Sequence, residues 1–228
     1  MPLAALGLVL LAAVTHATWN LAAKRAADCR HFVFLYSALA VVLYAPVIAW
    51  IVITTRPVFE PIHWLALSGT AALHIAYSLV LQAGYRSSDM SLVYPIARGT
   101  GPLLAFALAV WLLNERVTAM SLAGVALVVS GIVLVSGMLS SEHRAPRAGV
   151  LFGLGTGVFI AGYTLNDGWA VKVLLISPFI VDYAGNVVRA LVLGPRAWLE
   201  RAAVPGELRQ YAAPIATVSL LGPLGSPF

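Results

Sequence analysis

An arginine inside an apolar run is the residue with the clearest chemical meaning in this sequence. Arg98 lies in the stretch Ser91–Pro102, which opens an apolar run that ends at Leu113. A charged side chain at the centre of a membrane helix costs about 2.5–3.5 kcal/mol on insertion scales, so it is retained where it faces a protein interior or a wet cavity. Tyr94 lies one helical turn earlier, on the same face. The pair therefore predicts a binding site for an anionic or carboxylate-bearing small molecule.

Two structural roles remain open for Arg98. It can pair with a helix carbonyl or with a carboxylate such as Asp182, or it can extend its charged end to the membrane interface. Pro95, Gly99 and Gly101 indicate that the helix is either locally broken or closely packed at this point.

Two other apolar runs carry polar and aromatic residues at helical spacing. His16, Trp19 and Asn20 follow i, i+3, i+4 spacing, which puts them on one helix face. We expect this face to line the cavity that holds the arginine; a hydrogen-bonded packing histidine and a space-filling tryptophan are the alternatives. His74 and Tyr77, at i, i+3 in the third run, are further substrate-binding candidates.

A third polar face occurs in the seventh apolar run. Asp182, Asn186 and Arg189 follow i, i+4, i+7 spacing. An aspartate inside a membrane helix is a candidate proton-coupling group. It is equally a candidate for a neutralising pair with Arg189 or Arg98, and the sequence does not separate the two roles.

The composition is that of a polytopic membrane protein. Of 228 residues, 61% are hydrophobic and 10% are charged, whereas soluble domains carry about 25% charged residues. The net charge of +5 comes from short loops without a basic tract, so we expect the lipid bilayer and a small-molecule substrate as partners and no nucleic acid. A homodimer remains open.

The residue pattern gives little indication of an enzyme or of a metal site. Cys29 is the only cysteine and the five histidines do not cluster, so no cofactor or metal site is expected. Neither Ser130 nor Ser136 follows the glycine of a nucleophile elbow, and there is no His-Glu-x-x-His motif. No catalytic residue is predicted, and an intramembrane enzyme is the weaker rival class.

Seven apolar runs have the length of a membrane span, which is about 20 residues. They are approximately Leu3–Ala23, Phe32–Thr55, Trp64–Tyr85, Met90–Leu113, Val117–Ser140, Ala148–Asn166 and Val173–Gly194. Helices are the expected spanning form, which predicts an all-α polytopic bundle. A surface helix is expected between Gly194 and Tyr211. The eighth run, Tyr211–Phe228, is short and broken by glycine and proline, which predicts a chain truncated in its eighth helix.

Other features predict packing and interface positions. Gly153 and Gly157 form a small-xxx-small step, which is typical of close helix packing. Asp167 and Lys172 are expected at a solvated interface. The tryptophans that fall near span ends are expected in an interfacial aromatic belt; they are Trp50, Trp64, Trp111 and Trp198.

The basic residues favour one membrane orientation. Loops after odd-numbered runs hold nine of them: Lys24, Arg25, Arg30, Arg86, Arg144, Arg147, Arg196, Arg201 and Arg209. Loops after even-numbered runs hold three: Arg56, Arg116 and Lys172. The positive-inside rule then puts the odd loops in the cytoplasm and the N-terminus outside.

An internal repeat becomes visible when the first run is laid on the sixth. His16, Trp19 and Asn20 then fall on Tyr163, Asn166 and Asp167, and Tyr36 falls on Tyr183. Since the runs repeat after an odd number, the two halves are expected to be inverted, a common plan of secondary transporters with a central site. This predicts repeats at 1–140 and 148–228, and adds Tyr163 and Asn166 to the substrate-binding candidates.

Several segments resemble EamA-type members of the drug/metabolite transporter superfamily. They are His16-Ala-Thr-Trp-Asn20 with Lys24, Tyr94-Pro95-Ile-Ala-Arg98, Asn114-Glu115-Arg116 and Tyr163-Thr-Leu-Asn-Asp-Gly168. The resemblance implies two inverted five-helix repeats, the second incomplete here, with both termini in the cytoplasm, opposite to the orientation that the charges favour. It also implies gradient-driven transport of small metabolites.

The combined expectation is a secondary transporter in the bacterial inner membrane. Amino-acid-like or other anionic and polar compounds are the expected substrates, moved by alternating access between the two repeats. This chain by itself is then expected to be an inactive fragment. The alternative is a flippase-like or accessory membrane protein for lipid-linked sugars.

Overall fold

The chain is all-helical wherever its structure is described. The computed structural model describes residues 3–113, 117–135 and 146–222, and these residues form nine helices and no strand. The helices are α1 (Leu3–Arg25), α2 (Phe32–Thr55), α3 (Pro61–Ser87), α4 (Met90–Leu113), α5 (Ala119–Val135), α6 (Arg147–Lys172), α7 (Pro178–Leu199), α8 (Val204–Gln210) and α9 (Ala212–Leu221). The predicted all-α fold class is confirmed.

Most helix boundaries follow the apolar runs of the sequence. The bounds of α2 and α4 coincide with the predicted runs, and α3 and α6 extend beyond theirs at both ends. The predicted start of the seventh span at Val173 is wrong. Leu175 adopts a left-handed backbone with φ 56, and α7 begins at Pro178 after an extended Ser177, because proline suits the first helical turn and disfavours helix in the residue before it.

Three helices in the described part of the chain are both long and apolar enough to cross a membrane. They are α2, α3 and α6, at 24, 27 and 26 residues. The tryptophans near predicted span ends are all more than half exposed; they are Trp50, Trp64, Trp111 and Trp198. Their place in an aromatic belt stays a prediction.

The chain divides into two compact units, each of which combines segments from both predicted repeats. The first unit contains Met1–Ala72 and Asp167–Phe228, and the second contains Leu73–Asn166. The boundaries fall inside α3 and α6. Each unit is described by itself below, and the inverted repeat stays a prediction.

In the first unit, α2 is the central helix. It packs against both α7 and α9, and α1 also packs against α9. Near the C-terminal end of α2 lies an apolar core that draws on α3, α6 and α7; its buried residues are Ile51, Ala66, Leu67, Ala170, Ile176, Ile180 and Val181. At the N-terminal end of α2, the contacts are instead made by polar residues of the preceding loop.

In the second unit, glycines bring α6 against α4. A Cβ added at Gly153 would lie 2.8 Å from Ile96 Cγ2, and one at Gly157 would lie 2.5 Å from Thr100 Cβ. Gly149 approaches Leu92 in the same way, at 2.7 Å from Cδ2. These glycines repeat every four residues and meet side chains that also repeat every four residues, which is how small residues let two helix backbones approach. The predicted close packing at Gly153 and Gly157 is confirmed.

The last described segment is short. The helix α9 has 10 residues, which corresponds to about 15 Å, half the thickness of a bilayer core. The predicted surface helix after the seventh span is present as α8, although α7 itself continues past Gly194 to Leu199. The Asn114-Glu115-Arg116 segment and residues 136–145 and 223–228 lie outside the described part.

Candidate functional site

Arg98 lies above the ring of Tyr94 in the second unit. Its guanidinium carbon is 5.8 Å from the ring centroid, a cation–π contact. Both residues are half-buried, and Tyr85, which is completely buried, interacts electrostatically with both. The Nη2 atom of Arg98 is buried and has no hydrogen-bond partner within residues 3–113, 117–135 and 146–222. The guanidinium therefore keeps donor capacity for a ligand.

The helix that carries Arg98 is closely packed rather than broken. It stays helical through Pro95. Gly99 faces the side chain of Ile132 in α5, and a Cβ at Gly101 would lie 2.5 Å from Ile160 Cγ2 in α6. Gly99 thus brings α4 close to α5, and Gly101, which follows Tyr94 and Arg98 at i+7 and i+3, brings α6 close to the side of α4 that carries both residues.

Three predicted site residues form an aromatic cluster in the same unit. The rings of His74 and Tyr163 stack with centroids 4.3 Å apart and an interplanar angle of 30°. Tyr77 meets Tyr163 edge-on at 5.4 Å and His74 edge-on at 6.4 Å. Asn166 is half-buried and lies one turn after Tyr163 on α6. The structure therefore brings together three residues that the sequence placed on two separate helices, and Asn166 lies on the same helix as Tyr163.

The predicted face of α1 is held together by its own hydrogen bonds. Trp19 Nε1 donates to His16 Nδ1 at 3.3 Å, and the two rings meet edge-on with centroids 5.2 Å apart. Because Nδ1 is the acceptor, a neutral His16 carries its hydrogen on Nε2. Asn20 is 1% exposed and donates to the His16 carbonyl at 2.8 Å. This face belongs to the first unit.

The predicted face of α7 is a linear hydrogen-bonded array. Arg189 Nη2 donates to Asn186 Oδ1 at 3.1 Å, and Asn186 Nδ2 donates to Asp182 Oδ2 at 2.9 Å. Asn186 thus lies between the carboxylate and the guanidinium. Arg189 also donates to the hydroxyl of Tyr36 at 3.1 Å and to the Gly185 carbonyl at 3.3 Å.

Tyr36 is a partner that sequence reasoning did not assign. Its ring lies under the Arg189 guanidinium at 5.6 Å, and its carbonyl accepts from Ser219 Oγ of α9 at 2.9 Å. It thereby joins α2 to α7 and α9. The only sequence signal was its alignment with Tyr183 in the predicted repeat, which says nothing about Arg189.

The expectation that Asp167 lies at a solvated interface is wrong. Asp167 is 8% exposed rather than solvated, and it accepts a hydrogen bond from Thr70 Oγ1 at 2.6 Å. A buried carboxylate needs such a donor, and Thr70 was not recognisable as one from a position 97 residues away. Lys172 is exposed, as predicted.

A second unpredicted group joins the loop before α2 to the segment around α8. His31 Nδ1 and the His31 backbone N–H lie 3.0 and 3.1 Å from Glu207 Oε2, and the Cys29 thiol donates to the same oxygen at 3.5 Å. Glu200 accepts from Arg30 at 2.9 Å and from Arg196 at 3.2 Å. We call this group the loop cluster.

Both carboxylates of the loop cluster are held in the ionised form. The hydrogen bond from Arg30 is the main reason that the pKa of Glu200 lies below its ordinary value. Burial raises the pKa of Glu207, but the hydrogen bonds from His31 and Cys29 together outweigh it and hold that pKa below the ordinary value. Within the described ranges, no group of three or more His, Cys, Asp and Glu residues is arranged to hold a metal ion.

Comparison with known proteins agrees with the motifs. The model of the EamA-like transporter family matches residues 3–137. A search among curated proteins found no match. Members of the matched family are membrane transporters of the drug/metabolite type. Because the match covers more than half of the 228 residues, this membrane protein belongs to the EamA-like transporter family of the drug/metabolite transporter superfamily.

Proposed function

We propose that the chain serves gradient-driven transport of small anionic or polar metabolites, with amino-acid-like carboxylates as the first class to test. The proposed mechanism is alternating access between two inverted repeats, and the proposed location is the bacterial inner membrane. Arg98 is the proposed binding group for the substrate carboxylate, with Tyr94 beside it. The observation that carries this proposal is the buried Nη2 atom of Arg98, which lacks a protein acceptor in the described ranges.

The comparison with Arg189 supports this choice of residue. Arg189 is 6% exposed and donates to Tyr36, to Asn186 and to the Gly185 carbonyl. Its donors are thus engaged in holding α7 to α2. Arg98 has a cation–π neighbour instead, and a cation–π contact does not use up the in-plane N–H donors that bind a carboxylate bidentately. Of the two intramembrane arginines, Arg98 is the one with donors suited to a ligand.

We assign the coupling role to Asp182. It is half-buried in α7, and the neutral amide of Asn186 binds its Oδ2 atom. A protonated Asp182 keeps a carbonyl oxygen that still accepts from the Asn186 amide, so the contact tolerates gain and loss of a proton while the same amide accepts from Arg189. The cluster of His74, Tyr77 and Tyr163, which belongs to the same unit as Arg98, supplies the proposed remaining contacts of the substrate.

Ligand binding to the purified protein in lipid nanodiscs tests the role of Arg98. A panel of amino acids and small carboxylates is screened for thermal stabilisation of the wild type, and affinities are then measured for Arg98→Gln and Arg98→Lys. A charge-assisted hydrogen bond is worth about 1.5–3 kcal/mol, so Arg98→Gln is expected to weaken binding by roughly 10- to 100-fold. Arg147→Gln, at an exposed arginine of the same unit, is the matched control and is expected to bind normally.

Two results would contradict the assignment. One is a wild type that no anionic compound stabilises; the other is an affinity that Arg98→Gln leaves unchanged.

Transport in proteoliposomes separates coupling from binding. Asp182→Asn is expected to abolish uptake driven by a proton gradient while leaving substrate exchange at equal concentrations intact, because exchange needs no net proton movement. If exchange and gradient-driven uptake fall together, Asp182 is a structural member of the α7 array instead.

A further inference from the structure

The end of α7 and the helix α8 place their acids inward and their apolar and basic residues outward. Glu200 and Glu207 both turn towards His31, whose Nε2 lies 3.4 Å from Glu200 Oε2 and whose Nδ1 lies 3.0 Å from Glu207 Oε2. The His31 side chain is only 2% exposed. A helix that faces water presents its charged residues outward and its apolar residues inward; here the two acids turn inward, and large apolar side chains are exposed beside the arginines.

The outward residues lie between position 198, at the end of α7, and position 209, in α8. Trp198, Leu199 and Leu208 are 70%, 83% and 45% exposed. The guanidinium of Arg201 lies over the Trp198 ring at 5.5 Å from its centroid, and Arg209 is exposed on α8. We call these five residues the headgroup surface.

The outward side of this segment is positive because its two carboxylates turn inward to other partners. Arg30 and Arg196 bind Glu200, and the loop cluster holds Glu207. The pKa values of both carboxyls lie below the ordinary value, so neither is protonated at neutral pH. Arg201 and Arg209 therefore have no acid of this segment to neutralise them, and they favour an anion from outside.

We propose that the headgroup surface binds the phosphate group of an anionic phospholipid. Arginine offers paired N–H donors that fit a phosphodiester, and an exposed tryptophan beside it favours the membrane interface, where its ring meets apolar groups and its N–H meets polar ones. Leu199 and Leu208 add apolar contact for the start of the acyl chains. Water alone does not favour this combination of exposed leucine, tryptophan and arginine.

Tryptophan quenching by brominated lipid tests the proposal. The protein is reconstituted in phosphatidylcholine vesicles that contain a minor share of brominated phosphatidylglycerol, or the same share of brominated phosphatidylcholine. Since both leaflets contain the lipid, the result does not depend on orientation. We expect stronger quenching by the anionic lipid, and we expect Trp198→Phe to remove the excess.

Charge variants test whether Arg201 and Arg209 bind the anionic lipid. An arginine near an anionic membrane contributes about a fivefold gain in binding. Combined Arg201→Gln and Arg209→Gln substitutions are therefore expected to lower the affinity for the anionic lipid relative to phosphatidylcholine by roughly 10- to 30-fold, which removes most of the excess quenching at a fixed lipid share. Lysine at both positions keeps the charge and most of the preference. Arg56→Gln with Lys172→Gln removes the same charge from exposed residues at the other end of α2 and α7, and we expect no change at Trp198.

Equal quenching of the wild type by the two brominated lipids would overturn the proposal. So would an unchanged preference in the glutamine double variant, or an equal loss in the control at Arg56 and Lys172. A folded state in every variant, shown by the same thermal unfolding midpoint, makes each of these results decisive.

Discussion

Replacing Gly157 by alanine tests the packing of α6 on α4. A Cβ at this position would lie 2.5 Å from Thr100 Cβ, 2.8 Å from Thr100 Cγ2 and 3.2 Å from the Ala97 carbonyl oxygen. Favourable carbon–carbon separations are about 3.5–4.0 Å. The two helices therefore have to separate by about 1 Å at this level. The contacting atoms are a backbone carbonyl and a β-branched side chain, neither of which can rotate out of the way.

The magnitude follows from two opposing effects. Overpacking of a well-packed contact costs about 1–3 kcal/mol. Alanine in place of glycine within a helix contributes about 0.5–1 kcal/mol in the opposite direction. We therefore expect Gly157→Ala to lower the free energy of unfolding by roughly 0.5–2 kcal/mol. Gly124→Ala in α5 is the matched control, because a Cβ there meets nothing within 4 Å, and we expect it to raise the free energy of unfolding.

Equilibrium unfolding in mixed micelles, followed by tryptophan fluorescence during titration with SDS, measures both changes. A third variant carries Thr100→Gly together with Gly157→Ala. Thr100→Gly removes the atoms that the new methyl group meets. Gly157→Ala should therefore lower the free energy of unfolding less when Thr100→Gly is present than when it is absent, and a double-mutant cycle quantifies this coupling. The reasoning would be refuted if Gly157→Ala and Gly124→Ala changed the free energy of unfolding in the same direction. It would also be refuted if the effects of Thr100→Gly and Gly157→Ala were additive.

Three further predictions concern the first unit. A double-mutant cycle between Tyr36→Phe and Arg189→Gln should give a coupling of about 0.6–1.7 kcal/mol, the range for hydrogen bonds between membrane helices, and additivity would contradict their contact. Burial raises the pKa of Glu207, but the hydrogen bonds from His31 and Cys29 hold the folded pKa below its ordinary value. The ionised carboxylate therefore stabilises the fold fully above the unfolded pKa and loses this effect as the pH falls through the folded pKa. Unfolding of Glu207→Gln, measured from neutral to acid pH, should accordingly depend less on pH than that of the wild type. Cys29 is 1% exposed, so maleimide labelling of this thiol should be slow. Glu207→Gln should accelerate it by roughly fivefold for each 1 kcal/mol by which the contact with His31 is weakened, and an unchanged rate would show that Glu207 does not close the loop.

Elements with a strong local signal were predictable from the sequence. The bounds of α2 and α4 follow from apolar runs that polar or turn residues end on both sides. The close approach at Gly153 and Gly157 follows from spacing alone, since two glycines four residues apart remove the side chains from one helix face. The start of α7 was missed because residues 173–176 are all apolar, and this hides the left-handed Leu175.

The grouping of the polar residues was predictable only within each helix. Spacing put Asp182, Asn186 and Arg189 on one face, and the hydrogen bonds confirm that placement. The partner Tyr36 lies 153 residues away, and helical periodicity carries no information about which helix packs opposite. The same limit applies to His31 and Glu207 in the loop cluster, whose contact depends on how two loops meet.

The array on α7 has a direction, and this makes the order of its residues matter as much as their identity. Arg189 can only donate and an ionised Asp182 can only accept, so Asn186 satisfies both with one orientation of its amide. Exchanging the side chains of Asp182 and Asn186 would preserve composition, total charge and helical spacing. It would nevertheless move the carboxylate next to the guanidinium and leave an amide in the first position. Two chains with identical composition on this face would then carry their negative charge four residues apart, about 6 Å along the axis.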